Sequence, residues 1–341
     1  MSSGGGARER AEPAGAHDAA WRPSASVPTL RLRAALLARI RAFFAERDVL
    51  EVETPVLGAC AVTDPHVLSL ATSVRAAAGA PPRTYFLHTS PEYAMKRLLA
   101  HGHAQGLGPI YQICRVFRDG EEGRLHCPEF TMLEWYRPGF DHHALIAELD
   151  ELMARLLPDA APARHTSYAD AFREHAGIDP ASATLAELRD AAAACGLVHE
   201  QAPDRDTCLE LVFSHRVQPA LGRGRVFVYD FPACQAALAR VRDGRVPVAE
   251  RFELFHDGIE LANGFHELTD AAEQRRRFAR DAARRRELGL DAPAPDERLL
   301  AALAHGLPPS AGVAVGLDRV FMLAAGAGSV AEVMAFPASR A

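Results

Sequence analysis

Two stretches of this chain join arginines and carboxylates at spacings that suit charged ligands. The first reads Arg115-Val116-Phe117-Arg118, then a polar loop with Glu121 and Glu122. It continues as His126-Cys127-Pro128-Glu129-Phe130-Thr131-Met132-Leu133-Glu134-Trp135-Tyr136. The pattern is strand, loop, strand. Arg118 at the loop edge offers a planar guanidinium to a phosphate or carboxylate. Along the second strand Glu134 and Tyr136 share a face, and a carboxylate beside a phenol suits an ammonium ligand. Alone, the segment also reads as a sheet edge with solvated charges.

The second stretch is a hairpin, Arg251–Phe255 and Ile259–Glu267, joined at Asp257-Gly258, a type I′ turn signal. That turn pairs Phe255 with Glu260 and leaves Glu253 diagonal to Glu260 on one face. Two such carboxylates repel unless a cation lies between them, and Mg²⁺ bridging phosphates is the natural candidate. Glu267 has the opposite parity, so a bulge at Asn263-Gly264 is needed to bring it to the same pocket. An exposed acidic hairpin is the plain alternative. A third segment, Ala311-Gly312-Val313-Ala314-Val315-Gly316-Leu317-Asp318-Arg319, has small residues that let a ligand approach the backbone. Arg319 begins a helix, where a basic residue opposes the dipole and suits an anion instead.

These residues need elements to position them. Leu30, Ala34, Leu37, Ile40, Ala42 and Phe44 predict an amphipathic helix with Thr29 as N-cap. Val49–Val56 alternates like a strand that Pro55 stops. Strands are expected at Tyr85–His88, Ile110–Phe117, Phe130–Tyr136 and Gly312–Leu317. Helices are expected at Pro91–Ala100, His143–Leu157, Leu185–Cys195, Ala271–Leu288 and Asp318–Ala325. Met1–Pro28, rich in Gly, Ala, Ser and Pro, reads as a disordered tail ahead of one folded unit over 29–341. There is no P-loop, and Gly222-Arg223-Gly224 reads as a turn, so any ATP is bound on another kind of fold.

The composition narrows the class. With 48% hydrophobic residues a sizeable core can form, and a net charge of −6 argues against a protein built mainly to bind nucleic-acid phosphates. No apolar run has the length of a membrane span, and the first twenty residues hold no signal-peptide core, which points to a cytoplasmic protein without a membrane partner. None of the six cysteines forms a C-x-x-C pair, so they read as reduced thiols.

Taken together and in order, the three segments resemble the class II aminoacyl-tRNA synthetases. Phe43–Leu57 with Pro55 resembles their first motif, a dimer-interface helix and strand; Arg118 through Tyr136 resembles the second, and Gly312–Arg319 the third. The likeness runs from about Leu30 to the C-terminus. Thr63-Asp64-Pro65-His66, Ser90-Pro91-Glu92-Tyr93-Ala94-Met95-Lys96-Arg97-Leu98 and Glu260-Leu261-Ala262-Asn263-Gly264-Phe265-His266-Glu267-Leu268 are similar to the lysine-specific branch. Within it they look closest to the elongation factor P–(R)-β-lysine ligases, short paralogues of lysyl-tRNA synthetase. Only a short tail precedes the catalytic segment, too little for an anticodon-reading OB-fold. Ala314 stands where lysyl-tRNA synthetases typically have Gly. Two departures stand out: Gly120 where the family's second motif usually reads Arg-x-Glu, and Cys127 in place of a common Asn.

The resemblance implies an α+β fold with an antiparallel six- or seven-stranded sheet flanked by helices, in a homodimer. It implies ATP as co-substrate, Mg²⁺, and lysine or (R)-β-lysine activated as an adenylate and passed to a lysine of elongation factor P, with tRNA not the acceptor. Arg118 and Arg319 would be catalytic, with Glu121, Glu260, Leu261 and Gly316 also at ATP, and Glu253 and Glu260 at the metal. Glu267 and Tyr136 would bind the ε-ammonium, and Glu92 and Glu134 the other amine. Ser90, Pro91, Asn263, Ala314 and Gly316 would complete the amino-acid pocket. Other readings are a minimal lysyl-tRNA synthetase, a producer of free lysyl-adenylate, and a non-catalytic paralogue that only binds amino acid. The intact Arg118, Glu253, Glu260 and Arg319 argue against the last.

Overall fold

A computed structural model describes residues 21–157, 161–196 and 204–341. Most of the expected tail, residues 1–20, lies outside the described residues. In chain order the elements are α1 (Val27–Ala45), β1 (Leu50–Glu51), β2 (Leu57–Gly58), β3 (Ala71–Val74), β4 (Arg83–Leu87), α2 (Glu92–Gly102), β5 (Ile110–Phe117), β6 (Glu129–Pro138) and α3 (His142–Leu156). There follow β7 (Arg164–Ser167), α4 (Tyr168–Ala176), α5 (Leu185–Ala194), α6 (Arg205–Val212), α7 (Gln218–Ala220), β8 (Arg225–Pro232), β9 (Val241–Arg242), β10 (Val248–His256) and β11 (Ile259–His266). The chain closes with α8 (Ala271–Glu287), α9 (Glu297–Gly306), β12 (Ser310–Gly316) and α10 (Leu317–Ala325).

The α+β class is as expected, but the sheet is larger than six or seven strands and is mixed. The main sheet has nine strands in the order β1-β5-β6-β12-β11-β10-β8-β7, with β9 paired to β10. From β5 to β8 every neighbour is antiparallel. The outermost pairs, β1 with β5 and β7 with β8, are parallel. Both join their neighbours through long connections that contain helices, as parallel pairing requires. A separate three-stranded sheet, β2-β4-β3, leads into α2.

Period-two alternation divides the main sheet into two faces. Leu133, Trp135, Val313 and Val315 point to the back. There they join Leu36, Phe43 and Phe44 of α1, Leu145 and Leu149 of α3, and Phe321 of α10 in the principal core. The Trp135 indole donates to Glu148 across 3.0 Å, so the one polar atom of that ring is satisfied. On the front, Met95 and Leu99 of α2 pack with Phe278 of α8, Leu299 of α9 and Tyr136. A third cluster gathers α4, α5 and α6 against β8, with Tyr168, Phe172 and Phe213 stacked in it.

Local details differ from expectation in three places. Helix α1 starts at Val27, and Ser26, not Thr29, is its N-cap; the Ser26 hydroxyl accepts from the Thr29 amide. Of the expected strand Val49–Val56, only Leu50–Glu51 pairs regularly, because Pro55 ends the ladder early. The hairpin bulge lies not at Asn263-Gly264 but opposite the Leu254/Phe255 step, where Leu261 is the extra residue: Phe255 pairs Glu260 while Leu254 pairs Ala262. Leu261 and Ala262 are both buried in the principal core, which is how the bulge spends its additional residue. The turn itself is as expected, with φ of +50° at Asp257 and +74° at Gly258.

Candidate active site

The strand registers build the floor of the site. One row across the sheet is Gln112–Glu134–Ala314–Asn263–Glu253, each paired with the next. The next row on the same face is Ile110–Tyr136–Gly312–Phe265–Arg251. The Leu261 bulge changes parity in β11, so Glu260, Asn263 and Glu267 come to one side. Ala314 therefore lies between Glu134 and Asn263, its methyl on the floor. Gly312 lies beneath the Tyr136 ring and the Glu267 carboxylate, and a Cβ there would run into both. The glycine is what lets those two side chains descend over β12.

Helix α2 supplies the wall. Pro91 is its N-cap residue, and Ser90 just before it both accepts from the Glu92 amide at 3.0 Å and donates to Glu134 Oε2 at 2.7 Å. Tyr136 donates to Glu134 Oε1 at 2.6 Å. Lys96, one turn along α2, places its Nζ 2.6 Å from Glu92 and 2.5 Å from Glu267. Three carboxylates, Glu92, Glu134 and Glu267, thus converge on one pocket. Burial, reinforced by Glu92, pushes the Glu134 carboxyl up to about 7. Burial pushes Glu267 up to about 8 against the opposing pull of Lys96. Burial also holds the Tyr136 phenol well above its ordinary value, with Glu134 adding to it.

A second set of charges lies beyond Asn263, toward the β10–β11 turn. Arg251 donates to Asn263 Oδ1 at 3.0 Å, to the Gln235 carbonyl at 2.8 Å and to Glu253, fixing the Asn263 amide. Burial pushes Glu253 up to about 7, against the pull of Arg251 and with the help of Glu260. The two carboxylates therefore feel each other as the hairpin pairing requires. Arg319 reaches the Leu125 carbonyl at 3.1 Å, the Glu260 carbonyl at 2.7 Å and His126 Nε2 at 2.7 Å. The His126 imidazole titrates below its usual value through burial and the Arg319 charge, so the neutral ring faces the guanidinium. Arg118 lies 3.6 Å from Glu121 and over the Phe130 ring. Gly316 faces the Leu261 carbonyl, so Leu261 can meet a ligand only through its backbone, its side chain being in the core. Glu253, Glu260 and Arg251 open onto a cleft of about 640 Å³ that continues past Asp64, Arg280 and Arg284. Among the described residues, no group of three or more His, Cys, Asp or Glu side chains is arranged to hold a metal by itself.

The expected site residues thus fall on one face in two adjoining groups, except Leu261, whose side chain turns into the core. The profile of the tRNA synthetases class II (D, K and N) matches residues 19–340. The chain belongs to this family. It is 50% identical over 326 residues, 95% of this chain and 99% of the relative, to the elongation factor P–(R)-beta-lysine ligase of Salmonella paratyphi B. The proteins of the same name from Salmonella schwarzengrund and Salmonella choleraesuis match equally.

Both departures from the class II pattern have local causes. Gly120 has φ of +74°, and its amide is held by Asp119 Oδ1 at 2.9 Å, a tight turn that favours glycine. Cys127 is buried against the principal core, where a small, weakly polar side chain fits. Lys96 and His126 carry no role in the sequence reading. Lys96 was detectable as a charge on the apolar stripe of α2, between Met95 and Leu99 and four residues after Glu92. His126 gave no comparable signal, because its partner Arg319 is 193 residues away.

Proposed function

We propose that this chain is an ATP-dependent ligase that adenylates (R)-β-lysine, or α-lysine, and transfers it to the ε-amine of a lysine on elongation factor P. The observation that carries this reading is the three-carboxylate pocket abutting the Arg118, Arg319, Glu253 and Glu260 group, in a class II chain whose relatives bear that name. In the first step a substrate carboxylate oxygen attacks the α-phosphorus of ATP, and the bond to pyrophosphate breaks. In the second, the acceptor amine attacks the acyl carbon, AMP leaves, and the amine gives up a proton. No side chain forms a covalent intermediate. Arg118 and Arg319 stabilise charge on the phosphates, and Arg319 must exchange its present carbonyl and His126 contacts for them. Glu267 and Tyr136 receive the ε-ammonium, and Glu92 and Glu134 the other amine, with Ser90 and Asn263 fixing the geometry.

Glu253 and Glu260, two carboxylates on one face of the hairpin of which Glu260 helps to raise the proton affinity of Glu253, fit Mg²⁺, which they would hold at the phosphates. Bound there, the ion neutralises phosphate charge. Among the described residues no helix is long and apolar enough to cross a membrane, in keeping with a cytoplasmic enzyme. The exposure of Leu50 and Leu57, at 54% and 41%, supports a homodimer that meets through the first-motif segment. Amino-acid-dependent exchange between pyrophosphate and ATP, with mass spectrometry of elongation factor P after incubation, tests the reading. Absence of exchange with both lysine isomers would sink it. Arg319→Ala should lower the exchange rate by about 10²–10³, the loss typical of one preorganised charge-stabilising donor, with circular dichroism unchanged.

A further inference from the structure

Lys96 is 1% exposed and among the largest fully buried side chains of the molecule. A buried ammonium persists only when paired. Here Glu92 comes from its own helix, at 2.6 Å, and Glu267 from the end of β11, at 2.5 Å. The Phe265 ring lies 5.5 Å from Nζ. From β6, Glu134 and Tyr136 complete the ring of polar groups, while α8 and α9 face α2 with Phe278, Leu299 and Leu300. Burial opposes the Lys96 charge, but Glu267 and Glu92 outweigh it and raise its proton affinity above that of a free lysine. It is a fixed cation, neither a base nor a nucleophile.

The charge balance then decides what else fits. Three carboxylates against one ammonium leave two negative charges when all are ionised. Both Glu134 oxygens already accept hydrogen bonds, from Ser90 and Tyr136. Glu267 presents one oxygen to Lys96, and its buried Oε1 has no hydrogen-bond partner. Resting on the reading that this pocket takes a diamino acid, we propose that Lys96 is a specificity-determining residue. It fills one cation seat permanently and so sets the pocket to receive two further ammonium groups, no more and no fewer.

The consequence is a dependence on net charge rather than on packing. Lys96→Met keeps the length of the stem and leaves three carboxylates unneutralised. Without the pull of Lys96 they will hold protons more tightly than Glu134 and Glu267 already do. A rise of one to two units in the pH needed to ionise them weakens lysine about 10- to 100-fold in KM at pH 7. The KM of ATP should change little, and the lysine KM of the variant should recover as pH rises. Glu92→Gln alone removes one negative charge and should also weaken lysine. Lys96→Met combined with Glu92→Gln restores the balance of two and should activate lysine better than Glu92→Gln alone.

Pyrophosphate exchange on wild type, both single variants and the double variant, from pH 6.5 to 9, reads all of this. The comparison of Glu92→Gln with the double variant stands even if Lys96→Met fails to fold. Recovery in the double variant, with the upward pH displacement in Lys96→Met where it folds, supports the proposal. A double variant no better than Glu92→Gln overturns it and leaves Lys96 a packing residue. Wild type without lysine-dependent exchange would instead overturn the function itself, so the two failures are distinct.

Discussion

At the scale of single residues, the position that the proposed function singles out for substrate choice is Ala314. Its register neighbours are Glu134 on β6 and Asn263 on β11, so its methyl lies on the floor between two groups assigned to the substrate. An α-amino and a β-amino acid that share carboxylate and ε-ammonium positions differ by one bond in where the second amine stands. One methyl-sized change in such a pocket is worth about 1–3 kcal/mol of discrimination. Ala314→Gly should therefore raise kcat/KM for α-lysine relative to (R)-β-lysine, by roughly ten- to a hundredfold in the ratio. Parallel exchange assays on the two isomers give that ratio, and an unchanged value would remove Ala314 from the selection of the amine. If Gly merely loosened β12, both activities would fall together. Ala314 was legible in the sequence because it replaces the glycine of a known motif. Gly312 was legible only as a small residue, since its packing beneath Tyr136 and Glu267 depends on strands far apart in sequence.

At the scale of elements, the hairpin of β10 and β11 shows why spacing alone came close but missed. The two-residue turn and the Phe255–Glu260 pair follow from Asp257-Gly258. The need for a parity change before Glu267 also follows from counting. Its position does not, because the extra residue is chosen by the core behind the sheet, which takes up Leu261 and Ala262 side by side. Strand β8 was missed for a related reason: Arg225–Pro232 is buried on both faces and shows no alternation. The bulge makes a prediction of its own. Deleting Leu261 leaves Glu260 opposite Phe255 and Ala262 opposite Leu254 in one regular ladder, so Glu260, Asn263 and Glu267 stay on one face, and what is lost is a leucine side chain from the core. The variant should melt at a lower temperature yet retain ATP-dependent exchange. Loss of exchange in a variant that still folds would mean that the bulge itself, and not only the face it assigns, positions Glu260.

At the scale of the whole molecule, the composition and the helical and strand periods fixed the class, but the order of strands depends on pairings across the full chain. The parallel edges β1 and β7 carry only two and four residues, too few for a pattern to show. What the assembled fold creates, and no segment holds alone, is a front face where buried carboxylates gather. Glu134 and Glu253 are pushed up to about 7 and Glu267 to about 8. Folded values above the unfolded carboxyl range of about 4.3 mean that the native state binds the extra protons. Their contribution to stability is fully present below the unfolded value and is lost as pH rises through about 7 to 8. The unliganded protein should therefore lose melting temperature between pH 5 and pH 8.5 through this cluster. A diamino acid bearing two ammonium groups binds the ionised carboxylates, so its binding releases protons and tightens over the same interval. The rise in melting temperature produced by saturating lysine should then be larger at pH 8.5 than at pH 6, by several degrees. Norleucine, which lacks the second ammonium, should give a smaller rise at both. Calorimetry at the two pH values decides the matter. An equal lysine effect at pH 6 and pH 8.5 would show that the carboxylates are already ionised in the empty pocket, and that the burial of this face is relieved by something other than bound protons.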